Sequence, residues 1–362
     1  MKPVRLCLLG DATSVHLQRW AREMAVRGFE INVVTARPAP MEGVAQQTVL
    51  PPVRRSLDWL WRVDATRNAL RSLQPGLVHA HYVTSYGYLA ARTVPALQRP
   101  LVMTAWGSDL LVTPGTSPLH RALTGWTLRR ADCVTGDSAD LLTAARAYKL
   151  REQPLLIHFG VDLARFAPAP WDAKPRFDVV SLRAWEPNYR IGAIVQAVAL
   201  LRERQPAMPV HLHVLGGGSQ HSELMQQVAA LSLQDRVTLL GHCDDAGMAR
   251  VLARCKVSVS VPASDATSVS VLESMAAGLA VVASDLPANR DWLGAASGML
   301  IGGNNETLPT RIADTLATLW QDDAAAQRTA QANRARVETD GDRARQMDHM
   351  ADVYRRLLRG RC

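Results

Sequence analysis

The chain has 362 residues, 48% hydrophobic and 20% charged, with a formal net charge of +8. This composition excludes a disordered chain, and the length asks for about two domains. No apolar run approaches the roughly 18 residues of a membrane-spanning helix. The five cysteines are widely spaced and form no CxxC pair. A disulfide framework and a cysteine-rich zinc site are therefore not expected, and a reducing, cytoplasmic setting is. The first ten residues have too short an apolar run for a secretion signal.

The elements follow in chain order. Val4–Leu9 is apolar, is closed by Gly10, and predicts a buried parallel strand. Residues 15–27 predict an amphipathic helix stopped by Gly28, and residues 30–35 a second strand. Strand, glycine turn, helix and strand within about 35 residues make a βαβ unit. The pattern recurs with strands at 77–80, 100–104 and 133–136 and a helix near 87–94. Residues 54–71 combine arginine with tryptophan at helical spacing. Two readings stand for them: a helix lying on an anionic membrane surface, or an ordinary helix with its tryptophans in the core.

Three prolines in residues 166–176 predict a stiff interdomain linker. The alternation then restarts. Strands are expected at 177–182, 210–215, 236–240, 257–261 and 280–283, with helices at 191–204, 222–231 and 246–253. One long helical stretch is expected over about 308–358. Two doubly wound α/β halves result, and ligands in such sheets bind beyond the strand C-termini. Residues 1–165 carry 20 Lys and Arg against 12 Asp and Glu, whereas residues 166–362 carry 21 of each. The excess in the first half suits an anionic partner; solvated surface arginine is the plainer reading.

The chemistry concentrates in residues 262–285. A small, hydroxylated loop follows a strand, and a helix begins near Val269. The amides of Ser268, Val269 and Ser270 at a helix N-terminus suit a phosphate. Asp265 and Glu273 stand eight residues apart and could hold sugar hydroxyls on either side of it. The alternative is a capping segment with Glu273 on the surface. Gly216-Gly-Gly218 after a strand permits close backbone approach to a ligand, or simply a tight turn. His79 and His81 alternate on one strand, lack a third metal ligand in sequence, and read as structural.

Leu272-Glu-Ser-Met-Ala-Ala-Gly278 resembles the signature helix of family 4 glycosyltransferases with the GT-B fold. The resemblance extends through Asp235-Arg-Val-Thr-Leu-Leu240 before Gly241, Gly160-Val-Asp-Leu-Ala-Arg-Phe166, Gly107-Ser-Asp109 and Val78-His-Ala-His81. It implies two Rossmann-like doubly wound domains facing across a cleft. Residues 1–165 would bind the acceptor and residues 166–344 the donor, with the helix from about 345 packing back on the first domain. The implied reaction is retaining transfer of a hexosyl or N-acetylhexosaminyl group from a nucleotide diphosphate sugar, UDP favoured over GDP. No cofactor and no metal are implied.

The resemblance assigns Arg183, Arg190 and Asp265 to catalysis. It assigns Glu273, Ser268, Val269, Ser270, Gly217 and Gly241 to the donor, and Gly10, Ser14, His16, Trp106 and Asp109 to the acceptor or the cleft. Departures from the pattern are Asp265 in place of glutamate, Thr267-Ser268 in place of Phe-Gly, Trp106 in place of histidine, and a missing lysine, with Arg190 displaced by two positions. The implied partners are the nucleotide sugar and a glycan, lipid-linked or small-molecule acceptor of cell-surface polysaccharide or glycoconjugate synthesis. A peripheral contact with the inner membrane face is expected and nucleic acid is not. A sugar-nucleotide epimerase and a non-catalytic sugar-nucleotide-binding relative are the alternative readings.

Overall fold

A computed structural model describes residues 3–174, 176–297 and 299–360. It divides into two compact units, one of residues 1–159 and 344–362 and the other of residues 160–343. Cys362 lies outside the described residues, and Cys7, Cys133, Cys243 and Cys255 are free thiols.

The first unit holds seven strands: β1 (Val4–Leu9), β2 (Phe29–Thr35), β3 (Val44–Val49), β4 (Leu77–His81), β5 (Leu101–Thr104), β6 (Cys133–Gly136) and β7 (Leu155–Leu156). They pair in the order β3-β2-β1-β4-β5-β6-β7, all parallel. The second unit holds β8 (Phe177–Ser181), β9 (Val210–Leu215), β10 (Val237–Gly241), β11 (Val257–Ser260), β12 (Ala280–Ser284) and β13 (Met299–Ile301). Its order is β10-β9-β8-β11-β12-β13, again all parallel. Every residue of β4, β8, β11 and β12 is buried. Helices cover both faces of such sheets, so even the polar side chains of these strands, the histidines of β4, Asp178 of β8 and the serines of β11, are enclosed. In each sheet the order reverses once, between β1 and β4 and between β8 and β11, which is where a doubly wound sheet opens a binding crevice.

Several expectations change. β3, β7 and β13 had no expected strand. β3 is half polar, β7 is two residues long, and all three lie at sheet edges. The single helix expected over 308–358 is three, Leu308–Gln321, Asp323–Asp340 and Arg343–Arg359. Asp322 leaves helical geometry and caps the second of these through Ala325 N. In the last, Tyr354 is fully buried in the first unit, where the Trp20 indole donates to its hydroxyl at 3.0 Å. The proline-rich segment is no free linker. Phe166 and Trp171 are both buried in the second unit, because large apolar side chains outweigh the extended bias of their prolines. Pro175 lies outside the described residues. The helix expected over 54–71 is a 3-10 turn, Ser56–Arg62, followed by the helix Val63–Leu73. Trp59 packs on Tyr86 with ring centroids 4.8 Å apart, while Trp61 is 78% exposed.

Candidate active site

In the second unit the loops leaving β8 and β11 meet over the strand-order reversal. Arg183, two residues beyond β8, is a tenth exposed at its side chain. Its Nη2 donates to Asp265 Oδ2 at 2.6 Å, and its Nη1 donates to Ser270 Oγ at 3.0 Å and to Ser268 Oγ. The guanidinium carbon lies 4.3 Å from the Tyr189 ring centroid. One planar fork thus draws Asp265, Ser268 and Ser270 together at the start of the helix Val269–Ala276. Ser268 occupies the N-cap position but makes no side-chain cap bond, its hydroxyl being turned to Arg183 and Ser270. Burial pushes the Asp265 carboxyl above its ordinary value, and Arg183 pulls it back.

Val271 to Ala276 are all buried, and Ser274 Oγ reaches Ser258 Oγ of β11 at 2.8 Å. Small side chains let this helix sit directly on the sheet. Glu273 belongs to the same buried run, with 4% of its surface exposed, so the surface-residue reading does not hold. It lies three positions after Ser270, on the same helix face.

The glycines act on the backbone. A Cβ at Gly216 would stand 2.5 Å from Arg183 O, and one at Gly218 would stand 2.5 Å from Trp185 O. Their close approach fixes the Arg183 loop, which Gly217 O secures by accepting from Trp185 N at 2.9 Å. Gly241, at φ +72°, accepts from Gly216 N at 2.9 Å and so supports the same turn.

Arg190 is expected among the catalytic residues. Its Nε donates to Val261 O at 2.7 Å, and its Nη2 to Pro262 O at 2.8 Å and Ser284 Oγ at 3.2 Å. These carbonyls have just left the end of β11 and lost their ladder partners, so the fork satisfies them. Arg190 is a strut under the Asp265 loop. Asn188 zips to the same loop through Ser264 O at 3.0 Å and Ser264 N at 3.2 Å. Neither Asn188 nor Tyr189 was expected in the site. The only signal for them was an aromatic and an amide within five residues of Arg183–Glu186.

The first unit has its own polar group at the β1–β4 reversal. Gly10 ends β1, and a Cβ there would stand 3.0 Å from both Leu17 methyl groups. Ser14 is the N-cap of the helix Val15–Val26 and hydrogen-bonds the Tyr82 phenol. His16 stacks on Trp106 with centroids 4.6 Å apart, and the Trp106 indole donates to His81 Nδ1 at 3.2 Å. Burial, then the neighbouring His16, pushes the His81 imidazole down to about 3.

Asp109 is expected at the acceptor or cleft. It is 4% exposed, and its carboxylate accepts from Val83 N at 2.8 Å and from the Trp106 and Gly107 amides at 3.0 Å each. It closes the turn that presents Trp106. Among the described residues, no group of three or more His, Cys, Asp or Glu converges as a metal-binding set. No helix among them is long and apolar enough to cross a membrane.

Comparison with known proteins bears on these sites. The family described as "Glycosyl transferase 4-like" matches residues 5–138, and that described as "Glycosyl transferases group 1" matches residues 177–322. A glycogen synthase of Mycobacterium tuberculosis (strain CDC 1551 / Oshkosh) is 27% identical over 308 residues, 80% of this chain and 71% of the relative. A D-inositol 3-phosphate glycosyltransferase of Arthrobacter sp. (strain FB24) is 26% identical over 358 residues, 87% of this chain and 83% of the relative. Among solved structures, sucrose-phosphate synthase from Thermosynechococcus elongatus superposes with a TM-score of 0.81 at 17% identity, covering 99% of this chain and all of that one (100%). Anabaena HepE in complex with UDP-glucose gives 0.78 at 18% identity, covering 96% and 98%.

Proposed function

The chain belongs to the family 4-type glycosyltransferases of the GT-B fold, and on that premise we propose that it transfers a hexosyl or N-acetylhexosaminyl group from a nucleotide diphosphate sugar with retention of configuration. The second unit binds the donor and the first unit the acceptor. The observation that carries this reading is the convergence of Arg183, Asp265, Ser268 and Ser270 on one helix N-terminus at the β8–β11 reversal.

As the glycosidic bond breaks, negative charge grows on the β-phosphate. Donors already in place stabilise that charge most in the transition state. Arg183 offers a planar fork, and the first-turn amides of the helix add fixed dipoles. Glu273 would hold the ribose hydroxyls, and Asp265 would face the sugar ring. UDP is favoured over GDP as the carrier, and the solved HepE complexes with UDP and UDP-glucose support that preference. The acceptor side is a glycan, a lipid-linked sugar or a small molecule of polysaccharide or glycoconjugate synthesis. Counted by unit, the first carries 24 Lys and Arg against 13 Asp and Glu, and the second 17 against 20. That division supports a peripheral contact of the first unit with an anionic surface.

Glu273→Ala should weaken UDP binding by roughly ten-fold or more, the scale of a hydrogen bond to a charged group. Calorimetric titration measures this, and Glu273→Gln controls for burial of a cavity. Unchanged UDP affinity in both folded variants would sink the donor assignment. With Arg183 supplying the charge at the phosphate, activity should survive EDTA. Complete inhibition that Mg²⁺ or Mn²⁺ reverses would overturn this mechanism.

A further inference from the structure

We infer that Asn188 is a positioning residue for the donor sugar: through Ser264 it sets where the Asp265 carboxylate stands, and so governs which hexose is turned over. This role deepens the donor reading proposed above and rests on it.

Asn188 sits in a short 3-10 turn, Pro187–Tyr189, closed by bonds from Tyr189 N to Glu186 O at 2.9 Å and from Arg190 N to Pro187 O at 3.3 Å. Both ends of the turn are fastened. Before it, the Glu186 carboxylate accepts from Ser219 N at 2.8 Å and from Ser219 Oγ at 2.5 Å, which ties it to the segment after Gly218. After it, Arg190 commits its fork to Val261 O and Pro262 O. Tyr189 lies against the Arg183 guanidinium and packs on the core of the second unit. Asn188 therefore projects from a turn that has little freedom of its own.

Its contacts fall on the residue directly before Asp265. Asn188 Nδ2 donates to Ser264 O at 3.0 Å, and its Oδ1 accepts from Ser264 N at 3.2 Å. Its backbone carbonyl accepts from Ala263 N at 2.8 Å. The side-chain amide thus pairs with Ser264 as a neighbouring strand would, taking both of its backbone groups. Few side chains can do this. Aspartate has no donor for Ser264 O, serine and alanine fall short, and glutamine carries its amide one methylene farther out.

Asp265 depends on that hold because one methylene separates its carboxylate from the backbone. The Arg183 fork grips the carboxylate end at 2.6 Å, and Asn188 grips the backbone end. Two anchors on either side of one methylene leave the carboxylate a single place. Hexoses that differ at one hydroxyl are told apart by hydrogen bonds that are met or left unpaired, so this place sets the choice. The nucleotide contacts assigned above lie on Arg183 and on the helix Val269–Ala276, to which Asn188 makes no hydrogen bond among the described residues. Loss of Asn188 should act on the sugar and spare the nucleotide.

Asn188→Asp keeps the acceptor for Ser264 N and sets a carboxylate oxygen against Ser264 O. In the full-length protein it should lower kcat for the preferred UDP-sugar by roughly ten-fold, because a small misplacement of a contacting group costs that much or more. The kcat/KM ratios among UDP-glucose, UDP-galactose and UDP-N-acetylglucosamine, read as UDP release, should narrow. The calorimetric Kd of UDP should stay within about two-fold of wild type. Asn188→Gln, with the right amide set too far out, should fall between wild type and Asn188→Asp. Amide exchange across residues 263–265 should quicken in Asn188→Asp. Turnover and sugar ratios unchanged in the folded variants would overturn the inference. So would a loss of UDP affinity as large as the loss of kcat, which would make the turn a support of the whole site. Failure of the wild-type protein to bind UDP would instead overturn the donor reading, and amide exchange would still report whether Asn188 holds the loop.

Discussion

Arg183→Ala should lower kcat by about 100- to 1,000-fold, the usual loss when one preorganised donor to a developing anion is removed. The effect belongs to kcat because the fork is worth most when charge has moved onto the departing phosphate. Arg183→Lys should fall between wild type and alanine, keeping the charge and losing the planar fork. Removal of Arg183 also leaves the partly buried Asp265 without its cation, a known route to lost stability. That consequence separates chemistry from folding. Arg183→Ala/Asp265→Asn removes the stranded carboxylate, so it should regain thermal stability and stay inactive. Turnover is read as transfer from UDP-glucose and UDP-N-acetylglucosamine, with donor consumption followed in the same assay. A folded Arg183→Ala variant within three-fold of wild-type kcat would show that the fork only ties two loops together.

How far the sequence reveals this site depends on the distance over which each residue works. The strands under it are legible because β8, β11 and β12 are short, valine-rich segments ended by turn residues, a purely local signal. Edge strands such as β3 are not, since a half-solvated VAQQTV carries little apolar pattern. Arg183, Asp265 and Glu273 can be singled out because one motif holds two of them on a loop and within a helix, and family likeness supplies the third. The bonds of Arg190 are not legible, because they go to Val261 O and Pro262 O, carbonyls whose need for a donor appears only when β11 ends beside it. Asp109 could have been read locally. A carboxylate two or three residues after Trp106-Gly107 commonly folds back onto their amides, as turn aspartates do.

The first unit should lose stability in mild acid, by about 1.6 kcal/mol between pH 6.5 and pH 5 from His81, with His79 adding to the fall. His79 is fully buried between Tyr354 OH, 2.6 Å from its Nδ1, and Thr104 Oγ1, 2.7 Å from its Nε2. Tyr354 already accepts from the Trp20 indole, and Thr104 continues the chain to Thr135 at 2.6 Å. A neutral ring donates once and accepts once here, whereas a charged one would have to donate at both ends. His81 Nδ1 accepts from Trp106, so a proton there would set two donors face to face. Burial, then the neighbouring His81, holds His79 well below its ordinary value; burial, then His16, holds His81 at about 3. The sign follows from these depressed values. Above the unfolded value of about 6.5 both states are neutral and the full stability is present. As pH falls from there toward the folded values, only the unfolded chain takes up protons. Each histidine then withdraws up to about 1.4 kcal/mol per pH unit. Asp109 has the opposite sign, its carboxyl raised by burial despite three amides. Against a typical total of about 5–15 kcal/mol, the fall is large enough to see as a shifted urea midpoint at each pH. His81→Gln should remove about half of the slope, whatever it does to stability at pH 7.5. A flat profile between pH 6.5 and 5, or a slope that His81→Gln leaves intact, would mean that these imidazoles accept protons within the folded unit.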